Sequence, residues 1–310
     1  MKKTPLLLLP LILLYSCSDL QSNLNVRKGI AEDNKKNYAE GEKYYTLAIQ
    51  EDDKNSEAYN NRGLDEYYTG QFVAAIKDFD KAIEIAPNFA IAYNNRGLTE
   101  HDSGLNEEAI KDFNIAIQKD TKLEAAYNNR GEVLSFLGHM EGDTSKYLLA
   151  LKDLNQAIDL NDSDFYAYSN RGLVKFRMHN YEAAIADYDK GIFFNPYYET
   201  LYNNRALAYQ DNGNDSAARE DYKRALKLSP DDYIVYNNLG LIGYKNGDYE
   251  EAMGYFNKSI AINSTYGLSY YNRGMTEMET GDKDKACDDF YNAKKYHWKD
   301  ADDAIAENCK

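Results

Sequence analysis

Aromatic, small and polar residues return along this chain at a fixed interval. The pentapeptide Tyr59-Asn60-Asn61-Arg62-Gly63 recurs unchanged at Tyr93–Gly97 and Tyr127–Gly131, and variants begin at Tyr168, Tyr202, Tyr236 and Tyr270. The spacing is 34 residues, apart from one interval of 41. Behind the pentapeptides follow a small, a large apolar (mostly aromatic) and a small residue, as at Ala75, Phe79 and Ala82. Loop glycines such as Gly70, Gly104, Gly213 and Gly247 supply the left-handed residue that closes a helix. Pro87, Pro196 and Pro230 halt the helix that follows. With only 5 prolines and as many as 29 tyrosines, the chain suits long helical stretches packed through aromatic side chains. A period in this range is the mark of a stacked repeat array.

The pattern resembles the tetratricopeptide repeat. In the unit 56–89, Tyr59 sits where that family usually carries Trp, and Gly63, Ala75, Phe79, Ala82 and Pro87 fall on the family's small, aromatic and proline positions. The same register fits 90–123, 124–164, 165–198, 199–232, 233–266 and 267–300, with a weaker copy at 22–55 that keeps Gly29, Tyr45 and Ala48. The resemblance implies an all-α fold: an α-solenoid, a right-handed superhelix of about eight helix-turn-helix repeats over 22–300, closed by a capping helix at 301–310. One departure is regular. Arg62, Arg96, Arg130, Arg171, Arg205 and Arg273 stand before the glycine, and Asp78, Asp112, Asp153, Asp187, Asp221 and Asp289 stand on the second helix of the same repeats. In 233–266 both change together, to Leu239 and Tyr255. This predicts an Arg–Asp pair joining the two helices of each repeat. The long interval places about seven extra residues near 139–145, read as a tolerated loop insertion or as a protrusion that touches a partner.

The N-terminal residues read as an address. Lys2 and Lys3 precede an apolar run from Pro5 to Tyr15, eleven residues long and too short to span a bilayer. The run ends in Leu14-Tyr15-Ser16-Cys17, which resembles a bacterial lipoprotein signal. That resemblance implies cleavage after a signal peptide at 1–16 and palmitate-type acylation of Cys17. A short tether, 17–21, would then reach roughly 15 Å to the first repeat. The expected location is the bacterial cell envelope, lipid-anchored, in the outer membrane and facing the periplasm or the surface. In such an oxidising setting Cys287 and Cys309 form an even pair. Ala301, Ile305 and Cys309 share one helical stripe, so Cys309 on the cap is expected to reach Cys287 in a disulfide; two buried thiols are the alternative.

Charge and chemistry narrow the function. A net charge of −15 argues against nucleic acid as a partner. The four histidines lie in different repeats, and no metal-binding spacing, phosphate loop or catalytic constellation is present in the sequence, so neither a metal, a cofactor nor an enzyme activity is expected. In tetratricopeptide arrays the first helices line a groove that binds partners. The resemblance places Asn61, Asn95, Asn129, Asn170, Asn204, Asn238 and Asn272 there. Asn is a poor helix residue, but its amide both donates and accepts, so a row of them could grip a peptide backbone. The row resembles the asparagine ladder in the repeat domain of O-linked GlcNAc transferase. Duplication that copied Asn with its surroundings explains the row equally well. A neighbouring position varies and supplies Tyr67, Phe176 and Tyr244 as candidate specificity contacts. The expectation is a scaffold that binds extended protein segments or assembles a membrane complex. A glycan-binding surface lipoprotein is the rival, since amides and aromatic faces suit sugars too.

Overall fold

The computed structural model describes residues 17–309, which form seventeen α-helices and, among the described residues, no strand. The chain divides into two compact units, one ending at Leu160 and one beginning at Asn161. In the first, α1 (Cys17–Asp33) pairs with α2 (Tyr38–Glu51), α3 (Ser56–Tyr68) with α4 (Phe72–Ile85), α5 (Ala90–Asp102) with α6 (Asn106–Lys119), and α7 (Glu124–Glu141) with α8 (Thr144–Leu160). In the second, α9 (Phe165–Arg177) pairs with α10 (Tyr181–Phe194), α11 (Glu199–Asp211) with α12 (Asp215–Leu228), α13 (Tyr233–Asn246) with α14 (Tyr249–Ile262), and α15 (Gly267–Thr280) with α16 (Lys283–Lys295). A last helix, α17 (Ala301–Asn308), packs on α16.

Local chemistry sets the ends. The Asn55 side chain accepts from Ala58 N at 3.0 Å and caps α3, and Asp232 does the same for α13 through Ile234 N and Val235 N. The turn inside a pair needs one left-handed residue, as at Gly70 with φ +79°. His179 fills that role after α9 with φ +59°, which accounts for a histidine where other repeats carry glycine.

Each second helix sends one large side chain to the first. Tyr45, Phe79, Phe113 and Leu154 in the first unit, and Tyr188, Tyr222, Phe256 and Phe290 in the second, are fully buried. Burying each such side chain contributes about 1.5–3 kcal/mol. Gly63 makes this approach possible: a Cβ there would sit 2.8 Å from Phe79 Cε1. One helix pair leaves a face of this core open, and the next pair covers it, as α2 does on α3 and α14 on α15.

Three expectations change. The tether at 17–21 is not an extended linker but the first turn of α1. Between Cys17 and Ser22 lies neither Gly nor Pro, and Asp19 in the first turn favours the helix dipole, so the hydrogen-bond ladder runs upstream of the first buried contact. The signal peptide expected at 1–16 lies outside the described residues. The insertion at 139–145 is not a loop: α7 and α8 are 18 and 17 residues long, against 13 and 14 for α5 and α6, and only Gly142 and Asp143 separate them. Extending both helices places the added residues in the helical hydrogen-bond ladder, which a longer loop would not. The cap spans Ala301–Asn308 rather than reaching residue 310.

Candidate functional site

The asparagines expected in the groove lie on first helices, and their neighbours in sequence share their work. In the first unit Asn128 Nδ2 donates to Asn129 Oδ1 (3.3 Å), Asn129 to Asn94 (3.1 Å), Asn94 to Asn95 (3.3 Å), Asn95 to Asn60 (3.0 Å) and Asn60 to Asn61 (3.0 Å). The result is one chain of amides across α7, α5 and α3. In the second unit Asn272 Nδ2 donates to Asn237 Oδ1 at 2.9 Å, and Ser269 donates to the same oxygen at 3.0 Å. Amides bonded head to tail polarise one another, and buried ones must be paired. Asn95, Asn238 and Asn272 are buried, whereas Asn61, Asn129, Asn170 and Asn204 are half-buried. Through Asn95, Asn129 and Asn272 the row stitches neighbouring first helices by way of Asn60, Asn94 and Asn237, and Asn60 and Asn128 hold Asn61 and Asn129 within their own helices. Sequence reasoning missed these partners, although the repeated Asn-Asn dipeptide was the signal.

The varied aromatics are also engaged. Tyr67 Oη donates to Asp102 at 2.6 Å, across to the next first helix. Phe176 packs on the core around Tyr188, with its ring 5.6 Å from that of Tyr181. The ring of Tyr244 lies 6.0 Å from that of Tyr249, and burial beside Glu279 raises its phenol above the usual range.

Where the amide chain ends, a cleft opens. Asn60 and Asn61 line a cavity of about 810 Å³ whose walls are Leu64, Pro87, Phe89 and Ile91, with Glu57 at its edge. Ile91 is 46% exposed. Asn61 uses its oxygen in the chain, and its Nδ2 has no partner among the described residues. An apolar wall beside an amide donor suits a segment that offers a side chain and a backbone carbonyl.

On the other side of the first helices, five of the arginines each hold three helices at once, and Arg171 holds Asp187 of its own repeat. Arg96 Nε and Nη2 bond Asp112 at 2.6 and 2.8 Å, and Nη1 reaches Asp80 on the preceding second helix at 2.5 Å. Arg62, Arg130, Arg205 and Arg273 repeat this, with Thr46, Asn114, Asp189 and Asn257 as the third partner. The aspartates are buried, so removing one partner would strand a charge. Glu66, Glu100 and Glu277 lie against these pairs, and burial next to the aspartates pushes their carboxyls up to about 7. Lys175 takes their place in α9 and bonds Asp187 at 2.6 Å. Asp65 and Asp33 face each other over Gly41, and burial with mutual repulsion pushes Asp65 up to about 8.

Cys287 and Cys309 are joined in a disulfide, with Cα atoms 5.6 Å apart. Cys17 opens α1. Among the described residues, no group of three or more His, Cys, Asp or Glu is placed to hold a metal ion, and no helix is long and apolar enough to cross a membrane.

Sequence models of the tetratricopeptide repeat match residues 56–89 and 203–267. The chain carries tetratricopeptide repeats. Among solved structures, it is 18% identical to a chain in the crystal structure of the APC/C hetero-tetramer Cut9–Hcn1, with a TM-score of 0.69 over 84% of this chain and 49% of that one. It thus spans about half of that protein. It is 21% identical to a tetratricopeptide repeat protein from Parabacteroides merdae, with a TM-score of 0.61 over 82% of this chain and 99% of that one. At this identity the likenesses show the fold. No curated protein sequence matches. Tetratricopeptide repeats typically form scaffolds for protein–protein interaction, and proteins of this fold are generally non-enzymatic.

Proposed function

We propose that this protein is a lipid-anchored scaffold of the bacterial cell envelope that holds extended segments of protein partners and catalyses no reaction itself. The observation that carries the reading is the cleft at the end of the amide chain. There the unused Nδ2 of Asn61 stands beside Leu64, Phe89 and the exposed Ile91. A bound segment would give a carbonyl to the amide and an apolar side chain to the wall. The amide chain holds Asn61 in place before binding, which lowers the ordering cost of association. Anchoring through Cys17 is supported by the lipoprotein-like signal Leu14-Tyr15-Ser16-Cys17.

A photo-crosslinking residue at Ile91, introduced in the native cell, should trap a protein. A Leu64→Asp substitution should reduce that capture, and the same crosslinker at exposed Val73 should trap nothing comparable. Capture of glycan instead of protein, or yields indifferent to Leu64→Asp, would remove the reading.

A further inference from the structure

The arginine that ties three helices together is missing at one junction, and three positions change there together. Leu239 stands where the arginine would be, Tyr255 where its aspartate would be, and Lys223 where the preceding second helix elsewhere offers Asp80, Asn114, Asp189 or Asn257. A guanidinium with its two acceptors has become a leucine, a tyrosine and a lysine. The space left between α12 and α14 is a cavity of about 540 Å³, floored by the buried Leu239 and flanked by Leu226 and the half-buried rings of Tyr236 and Tyr255. Those rings lie 6.4 Å apart.

The rim is basic, in a chain whose net charge is −15. Lys223, Arg224 and Lys227 come from α12 and Lys258 from α14, all four exposed. Lys258 Nζ lies 5.5 Å from the Tyr236 ring centroid and 5.9 Å from that of Tyr255. Arg224 lies over Tyr202 at 5.8 Å. Only Lys223 has a carboxylate within ion-pair distance, the exposed Glu220 at 3.1 Å, so Arg224, Lys227 and Lys258 are unpaired among the described residues. Exposed pairs such as Lys223–Glu220 are weak and exchange readily.

We infer that this cavity is a second docking site, for an acidic peptide segment that places an apolar side chain on Leu239 between carboxylates held by Lys223, Lys227 and Lys258. The chemistry selects that ligand. The lysines are separate point charges on successive turns, which match several spaced carboxylates. Bidentate recognition of one phosphate uses guanidinium forks, and the single arginine here is held over a tyrosine. The floor is apolar and rewards a leucine or an aromatic side chain. A uniformly charged polyanion, nucleic acid or sulfated sugar, would bring no apolar group to it. The phenol hydroxyls of Tyr236 and Tyr255 add donors at the walls.

The test uses the full chain and a short labelled peptide of glutamates around a central leucine, read by fluorescence anisotropy. Saturable binding that weakens with added salt is expected. Lys223→Glu with Lys227→Glu should weaken it about tenfold or more. The triple variant Leu239→Arg, Tyr255→Asp and Lys223→Asp restores the pairing of the other repeats, fills the cavity and keeps the fold, as circular dichroism would show. It should weaken binding to the same extent. Leu64→Asp, in the other cleft, should leave binding unchanged, which separates this site from that one. The inference is overturned if the native chain shows no saturable binding. It is equally overturned if the pattern-restored variant binds as tightly, or if a sulfated oligosaccharide or an oligonucleotide displaces the peptide and binds more tightly than it does.

Discussion

Glu66, Glu100 and Glu277 show how one residue can tax a repeat. Each lies on a first helix against the Arg–Asp pair of its own repeat, and burial there raises its carboxyl to about 7. An unfolded glutamate titrates near 4.3, so the native state holds more protons between those values. Stability from the protonated form is complete below about pH 4 and is lost as pH rises through about 7. Asp65, raised to about 8 across from Asp33, acts in the same sense. The native protein should therefore melt a few degrees lower at about pH 8 than at about pH 5, and the triple substitution of these glutamates by Gln should shrink the difference. Equal differences in the two proteins would show that the carboxyls are not protonated in the fold. The asparagines teach a second lesson at this scale. Their recurrence at one helical position was legible in the sequence, but their partners were not. A row of amides reads as an offer to a ligand until the adjacent Asn60, Asn94 and Asn128 are seen to take up the oxygens and N–H groups.

At the scale of elements, the 34-residue period together with the resemblance to tetratricopeptide repeats implied the helix pairs, and a glycine against a large side chain of the second helix is what lets each pair close. Gly138 shows where that logic stops. It stands seven residues after Gly131, as Gly70 does after Gly63 and Gly104 after Gly97, and so marks the end of a first helix. Yet α7 runs through it, and Gly142 takes the left-handed turn with φ +67°. Gly138 is kept for closeness: a Cβ there would lie 3.1 Å from Tyr147 Cδ1 and from Asp143 O. Flexibility and close approach ask for the same residue, and sequence cannot tell them apart. The C-terminal cap is a simpler case. α17 has eight residues, buries Ala301 and Ala304, and is fastened by the Cys287–Cys309 disulfide over a separation of 22 residues. So short a helix is marginal without a fastening. Closing a loop of that length contributes about 3 kcal/mol in the chain-entropy picture. Reduction, or Cys287→Ser, should speed amide exchange across Ala301–Asn308 while leaving α3 to α6 protected. Equal protection before and after reduction would mean that side-chain packing alone holds the cap.

For the molecule as a whole, stability in each unit is a sum of pairs and the contacts between neighbouring pairs, so no helix pair is dispensable and a change at one junction stays local. That locality is what allows the junction at Leu239 to abandon the common arginine without loss of the helices around it. The proposed anchor at the N-terminal end has a geometric consequence. α1 begins at Cys17, and its first buried contact is Ser22, whose hydroxyl donates to Ala48 O at 2.7 Å. Five residues of helix advance about 7 Å, so a lipid on Cys17 would hold the first helix pair directly at the bilayer instead of on a loose leash. Leu20 and Leu24, 60% and 46% exposed on the same helix, would then lie near the headgroups, where exposed leucines cost less than in water. Cells fed labelled palmitate should incorporate label into the native protein. Cys17→Ser should abolish that incorporation and release the protein from the membrane fraction with its helical content intact. Label that persists in Cys17→Ser, or a native protein that takes up none, would end the case for a lipid anchor and leave both docking sites on an unanchored scaffold.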